Sequence, residues 1–369
     1  MDVLLDLPAA AEAVRLLKGA QAVAAGAALQ AGALDTPGAF PSADVAALAQ
    51  AGLLVAPLPP ELGGAGLGEG VDGNLLLAEV LMAIGEGSLP LGRLYEGHVN
   101  ALQLVLGHGS TAQQRQAAAA AAAGELFGVW NTDDRQDPLR LLQDRLQGAK
   151  ILASGAGHVT RPLVTAATPA GAVMLIPPMA PGQGADLSGW TAQGMQASAT
   201  GRVDFSGMPA PPPIGGPGDY LREPAFSTGA WRCLAVQGGG MAALLALLRQ
   251  HLLETTRDED RAQRQRFGEA AIAVQTARLW ILQSARLCAM PHDVAGVVAA
   301  VNLARRAVEQ AALTLLELVH RSIGLMAFLR PAPVERIARD LATYLRQPAP
   351  DRALELGAAT LLRQDRLPW

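Results

Sequence analysis

The sequence predicts a mainly helical protein with a central antiparallel β domain, and three observations carry that expectation. Apolar residues recur at helical spacing from Leu75 to Ile84 and from Leu91 to Leu106. Between Glu125 and Pro213 the chain changes to short apolar segments divided by Gly, Pro and Asp. From Ala230 onward helical periodicity returns in four long stretches. The expected division is an N-terminal helical domain over 1–124, a central β domain over 125–218 and a C-terminal four-helix bundle over 219–369.

Within the first domain, Ala117 to Ala123 is a strong helix former, read as a surface helix that Gly124 stops. The strands expected next are Leu126 to Trp130, Leu163 to Ala167, Ala172 to Ile176 and Arg202 to Phe205. Pro209 to Pro213, followed by Gly215, Gly216 and Gly218, can continue neither strand nor helix and links to the bundle. The bundle helices are expected at Ala230 to Leu253, Gly268 to Ala289, Val294 to Ile323, and Val334 to Leu345 with Ala353 to Leu362 beyond. Gly238, Gly239 and Gly240 sit inside the first of these, each about 1 kcal/mol worse than alanine there, which implies close backbone approach at a helix crossing.

Composition narrows the function classes. Half the residues are hydrophobic and 17% are charged, the balance of a compact globular chain. The net charge of -4 comes with basic residues scattered rather than gathered in a stripe, so nucleic acid is not an expected partner. Cys233 and Cys288 fall in apolar helical segments and read as buried free thiols of a reducing cytoplasm. Asp2 and Asp6 stand where an export signal carries positive charge, and runs such as Ala242 to Leu247 are short for a bilayer. A cytoplasmic protein that does not enter membranes is expected. No zinc spacing, P-loop or G-x-S-x-G motif occurs.

Ordered motifs then carry a family resemblance. Ala51-Gly52-Leu53 leads to Pro59-Pro60-Glu61-Leu62-Gly63-Gly64; Gly148-Ala149-Lys150 leads to Ser154-Gly155; Gly194-Met195 leads to Val203-Asp204-Phe205; and Pro333-Val334-Glu335-Arg336 precedes Arg339-Asp340. In order and separation these resemble the acyl-CoA dehydrogenase superfamily, whose helical lobe, β lobe and four-helix bundle follow the same sequence. The resemblance implies FAD, a small-molecule substrate and a homodimer or homotetramer. It places Thr132, with Asp133, where the family's T-E-P meets the flavin ring, and Ser154 where a threonine reaches the ring nitrogen. Trp130 is expected against the isoalloxazine face. Arg264 fits the phosphate-pairing arginine of R-x-x-F-G. Gly324 is the surviving glycine of G-G-x-G, since Leu325, Met326 and Ala327 follow it. FAD binding is thus expected to be weakened or absent.

The catalytic residues are not identified by the resemblance. The family's glutamate base falls at Pro348 when counted from Arg339, or at Trp231 in the alternative position, and neither accepts a proton. The loop from Tyr344 to Asp351 is closer to the fold's flavin-dependent monooxygenase branch, with Arg346 and Gln347 as candidate substrate contacts. Arg93, Tyr95, Glu96, His98 and Asn100 crowd polar groups into an otherwise apolar helix along the family's acyl channel; Glu96 and His98 are the further substrate candidates, against a satisfied buried histidine. The functions expected are a flavin-dependent oxidoreductase on a small acyl or aromatic compound or, alternatively, a flavin-free family member acting as a binding or assembly subunit.

Overall fold

The computed structural model describes residues 7–289 and 293–369; Asp2 and Asp6, on which the export reading leans, lie outside the described residues. Helices α1 (Leu7–Gln30), α2 (Ser42–Gln50), α3 (Gly70–Gly87), α4 (Leu89–His108) and α5 (Thr111–Ala122) come first. Ser88 starts α4 by accepting from the Leu91 N–H, and Ser110 and Gln113 form a capping box on α5. Ala117, Ala118, Ala120 and Ala121 of α5 pack beneath the β lobe with Phe127 and Leu163, so this helix is half buried rather than a surface helix. Gly124, at φ +82°, ends that segment as expected.

The β lobe has eight strands: β1 (Phe127–Trp130), β2 (Arg140–Leu142), β3 (Arg145–Gln147), β4 (Ala149–Ala153), β5 (Arg161–Thr168), β6 (Gly171–Leu175), β7 (Ala185–Asp186) and β8 (Gly201–Asp204). They form a five-stranded sheet, β1-β5-β2-β3 with β6 on β5, and a three-stranded sheet, β4-β8-β7. The expectation of antiparallel strands is corrected at two places. β1 runs parallel to β5, with Trp130 opposite Val164, and β2 meets β5 in parallel at Arg140 and Ala167. The cause is the excursion of β2, β3 and β4 between β1 and β5, which returns the chain to the same edge in the same direction. β2 and β3 were not legible because each is three residues long and largely exposed.

After α6 (Ala225–Thr228) the bundle comprises α7 (Ala230–Glu254), α8 (Arg261–Cys288), α9 (Val294–Ile323), α10 (Pro333–Tyr344) and α11 (Pro350–Leu361). Helix α8 begins seven residues before Gly268 because the Asp260 carboxylate accepts the Gln263 N–H at 2.9 Å and caps it there. The segments Ala225–Glu254 and Val294–Phe328 are long and apolar enough to cross a bilayer on length and composition alone. Within the bundle, 72% of the apolar window of the first is buried and 44% of the second.

Helices α3, α4 and α7 cross on a seam of glycines. A Cβ on Gly239 would lie 2.1 Å from the Met82 carbonyl oxygen, one on Gly85 2.3 Å from the Val236 carbonyl oxygen, and one on Gly92 2.4 Å from a Val236 methyl. The expected close backbone approach is thus met at Gly239, while Gly238 and Gly240 pack against the side chains of Ile281 and Leu89. We expect Gly239→Ala to destabilise the protein by about 1–3 kcal/mol through overpacking, whereas Gly107→Ala, with nothing within 4 Å, should be neutral or mildly stabilising. Denaturant unfolding of the two variants beside the parent checks this.

Candidate functional site

The glycine seam presses α4 onto α7 and brings half-buried polar side chains together around the buried Glu96. Arg93 donates to the Glu96 carboxylate, Asn100 donates its amide to the other oxygen of Glu96, and Arg232 of α7 donates through Nε to the Asn100 carbonyl oxygen. The Glu96 side chain is 5% exposed and that of Arg93 25%. Burial draws the Arg93 guanidinium down, but the adjoining Glu96 carboxylate outweighs it and holds Arg93 well above its ordinary range. Arg232 goes the other way: burial lowers it, only partly offset by Glu96. Its guanidinium also lies 5.6 Å from the Trp231 ring centroid, within cation–π range.

The end of α10 closes over this chain. The Tyr344 carbonyl accepts from Gln237 at 3.0 Å and from Gln347 at 2.8 Å, which ties the α10–α11 turn to α7. The buried Tyr344 hydroxyl has no oxygen or nitrogen partner among the described residues and lies against the Cys233 thiol. The fields of Glu96, Arg93 and Cys233 all reach it, and burial raises it well above the usual phenol range. Burial likewise pushes the Cys233 thiol up to about 12.

Each sequence-predicted substrate residue has a definite place. Glu96 sits at the centre of the polar chain. His98 does not face a substrate: it is fully buried, its Nδ1 accepts the Phe127 N–H at 3.1 Å, and its Nε2 is 2.8 Å from the Leu54 carbonyl oxygen. An acceptor at Nδ1 leaves the proton on Nε2, which donates to Leu54, so the ring is neutral and joins α4 to β1. That expectation is corrected, since both ring nitrogens are used up by the backbone. Arg346 is exposed and pairs with Glu309 at 2.7 Å, away from the cluster's interior. Gln347 reaches the cluster only through the Tyr344 carbonyl. Both act as connectors of the α10–α11 turn, and the reading as substrate contacts is corrected for Arg346.

The expected flavin positions divide in two. Trp130, Thr132 and Ser154 come together on β1, the turn between β1 and β2, and the turn that follows β4. Lys150 is fully buried and donates to the Asp133 carboxylate at 2.7 Å, the Asn131 carbonyl at 3.0 Å and the Thr165 hydroxyl at 3.0 Å, so it fixes the turn that carries the exposed Thr132. Behind the half-buried Ser154, the Thr200 hydroxyl donates to Ser154 Oγ at 3.4 Å and lies 2.7 Å from the Ser198 hydroxyl. Trp130 is buried instead, tilted against Phe205, with its indole N–H donated to the Ser154 carbonyl at 2.9 Å. It supports the strand from within, so its expected contact with an isoalloxazine face is corrected. Arg264 and Gly324 are not brought to these residues. Arg264 is exposed on α8 and donates to the Asp258 carbonyl at 2.6 Å; Gly324, at φ +75°, ends α9 before an exposed turn bearing Leu325, Met326 and Phe328.

Sequence reasoning missed Arg232 and the Tyr344 hydroxyl as members of the site. The available signal for Arg232 was a charge set inside the apolar stretch Ala230 to Leu248. A cavity of about 170 Å³ beside the α3–α7 crossing is lined by Glu79, Met82, Gly238, Gly239 and Arg278, but Arg278 and Glu79 are committed to each other at 2.5 Å.

His98 generates a pH prediction. Burial lowers its folded pKa to about 4 from an ordinary 6.5, so the folded state resists protonation. Its contribution to stability is complete above pH 6.5 and is lost as pH falls from 6.5 through 4, on the order of 3 kcal/mol in all. Unfolding free energies measured across this window should fall for the parent protein and fall less for His98→Gln.

Comparison with known proteins now adds to this geometry. Residues 11–125 match the family model described as acyl-CoA dehydrogenase, N-terminal domain. No curated protein matches the sequence. Among solved structures, TdsC from Paenibacillus sp. A11-2, in complex with FMN and indole, is 21% identical, covers 96% of this chain and 99% of its own, and superposes with a TM-score of 0.77. Butyryl-CoA dehydrogenase from Megasphaera elsdenii is 17% identical over 98% of this chain and 100% of its own, with a TM-score of 0.81. The methanesulfinate monooxygenase MsuC from Pseudomonas fluorescens is 19% identical over 96% of this chain and 98% of its own, with a TM-score of 0.79. The chain thus matches the acyl-CoA dehydrogenase N-terminal domain model over residues 11–125 and has, along nearly its whole length, the fold that butyryl-CoA dehydrogenase, TdsC and MsuC share.

Proposed function

We propose that the chain is a flavin-dependent oxidoreductase of monooxygenase type, acting on a small aromatic or acyl compound without a carboxylate base. The observation that carries this reading is the state of the carboxylate positions. Trp231 is buried, Pro348 offers only a carbonyl, to which Arg305 donates, and both oxygens of Glu96 are taken by Arg93 and Asn100. General base catalysis needs a group that can accept a proton within hydrogen-bond reach of the one to be removed, and neither Trp231 nor Pro348 offers one. Oxygen transfer, the class for which TdsC and MsuC are named, makes no such demand.

The β lobe fits the polar edge of a flavin: Thr132 and Ser154 would hold it, with Thr200 and Ser198 behind Ser154. The turn after Gly324 does not fit an adenylate arm, because Leu325 and Ala327 stand where the family's G-G-x-G keeps glycine. The FAD of the sequence reading therefore becomes FMN. A bound flavin would supply the two-electron redox chemistry. The chain's own residues position the substrate, and the half-buried Arg93–Glu96–Asn100–Arg232 chain gives the site a fixed field.

After incubation with FMN and desalting, the protein should stay yellow and should retain FAD no better. Ser154→Ala and Thr132→Ala should each weaken retention by about 0.5–1.5 kcal/mol without unfolding the protein. A dye-coupled assay over acyl-CoAs of several chain lengths should show no turnover by the parent protein; robust turnover would refute the reading. Loss of both FMN and FAD on desalting would favour the flavin-free binding subunit instead.

The exposed apolar side chains of Leu313, Leu325, Met326 and Phe328 support a second copy of the chain as the partner that covers them, in a homodimer or homotetramer. Sedimentation at micromolar concentration should give a mass above the 38.1 kDa of one chain, and a lone monomer would remove this proposal.

A further inference from the structure

Hydrogen bonds run without a break from α10 to the turn that carries Ser154. The Asp340 carboxylate, on a residue only 2% exposed, accepts the Met195 N–H at 2.5 Å. The Met195 carbonyl accepts from Ser198 twice, from its N–H at 3.1 Å and from its hydroxyl at 2.7 Å. Ser198 and Ala199 then hold the turn after β4 through their carbonyls, which accept the N–H groups of Gly155 at 2.8 Å and Ala156 at 2.9 Å. A side-chain path runs alongside: the Ser198 hydroxyl lies 2.7 Å from that of Thr200, which reaches Ser154 Oγ at 3.4 Å.

The middle of this path is strained. Met195 at φ +59° and Ala199 at φ +42° both take the left-handed conformation that a Cβ disfavours, and such residues persist only where their surroundings hold them. Gly194, just before them, lies against the α10 backbone, where a Cβ would come 2.3 Å from the Arg339 carbonyl oxygen. The charged groups around Asp340 leave its carboxylate to Met195. Arg336 Nη1 is 3.7 Å from the other carboxylate oxygen, beyond hydrogen-bond reach; Arg339 is paired with Asp35 and Glu335, and Arg330 lies 3.9 Å from Glu335. The remaining polar groups lining the pocket at Asp340 are Ser88, which caps α4, and Gln196, and neither titrates. An N–H is held more firmly by a carboxylate than by a neutral acid or an amide, so the charge on Asp340 tightens the Met195 contact.

We infer that Asp340 is a positioning residue for the flavin edge: its carboxylate anchors Met195, and the strained turn from Met195 to Thr200 carries that anchor to the Ser154 hydroxyl. This rests on the reading of Ser154 as a flavin contact. Burial pushes the Asp340 carboxyl up to about 6, against the Met195 N–H and Arg336, so the anchor is charged above that pH and neutral below it. For stability the sign is the reverse. A raised folded pKa favours the neutral acid, a contribution that is complete below the ordinary 3.8 and lost as pH rises through about 6. At neutral pH, Asp340→Asn is therefore expected to be at least as stable as the parent while holding flavin more weakly.

FMN titrations of the parent, Asp340→Asn and Asp340→Ala, followed by flavin fluorescence from about pH 5 to about pH 8, test this beside denaturant unfolding and amide exchange. At about pH 7.5, Asp340→Ala should bind FMN about tenfold more weakly and Asp340→Asn about threefold. The ratio of parent to Asp340→Asn affinity should close towards one below about pH 5; the FMN phosphate titrates alike in both proteins and cancels. Without flavin, the Gly155 and Ala156 amides should exchange faster in both variants, relative to amides of α9, by at least about tenfold in Asp340→Ala. Unchanged FMN affinity, a ratio flat across pH, unchanged exchange at Gly155 and Ala156, or an Asp340→Asn protein that loses stability along with affinity would each overturn the inference. If Asp340→Ala does not fold, the Asp340→Asn readings decide. A parent protein that retains no flavin removes the redox reading, and the exchange rates then decide by themselves whether Asp340 positions the Ser154 turn.

Discussion

The organisation of the molecule depends on backbone contact between α3, α4 and α7. Hydrophobic burial alone would bring three apolar helices together at the usual spacing of about 8–10 Å between axes. Gly85, Gly92 and Gly239 remove the side chains at the crossing, so that α7 lies against the backbone of α3 and carries Val236 into the notch at Gly92. That geometry sets the position of everything one turn away. Arg232 stands one turn before Val236 on α7, and Arg93 follows Gly92 on α4, so the same contact that closes the core aligns the two guanidiniums on Glu96 and Asn100.

A buried cluster of this kind is costly to form and hard to alter in part. Removing one partner from a buried ion pair leaves an uncompensated charge, and the penalty is typically about 3–5 kcal/mol. Here the cluster is left with an uncompensated charge by its own composition. Arg232 donates only through Nε to the neutral Asn100 and makes no ion pair among the described residues, and burial lowers it, so the guanidinium is held there at a cost the rest of the packing must offset.

The motifs that carry the family resemblance serve mainly to join the lobes. Gly194 and Met195 meet Arg339 and Asp340 directly: a Cβ on Gly194 would lie 2.3 Å from the Arg339 carbonyl oxygen, and the Met195 N–H donates to the Asp340 carboxylate at 2.5 Å. Arg339 pairs with Asp35 at 2.6 Å and Glu335 at 2.8 Å, which adds the α1–α2 connection to the same joint. Burial pushes Asp340 up to about 6, against the opposing Met195 N–H and Arg336. Two sequence motifs far apart in the chain are thus halves of one clamp between the β lobe and α10. They specify the fold, and they are silent on the reaction.

What the sequence by itself determined was whatever is written in local periodicity or in backbone permission. The long helices α3, α4, α7 and α9 were legible because their apolar residues repeat over many turns, and the glycine crossing because three glycines inside a helix have few other uses. The polar group on α4 was visible as polar residues in an apolar helix. The sequence could not say that His98 is used up by Leu54 and Phe127, that Trp130 turns inward, or that β1 and β5 run parallel, since each depends on a partner tens of residues away. Only the tertiary structure decided that Arg232 and Tyr344 join Glu96, because hydrogen-bond satisfaction and net charge are properties of a place in space, and that place is assembled from three helices by a backbone crossing.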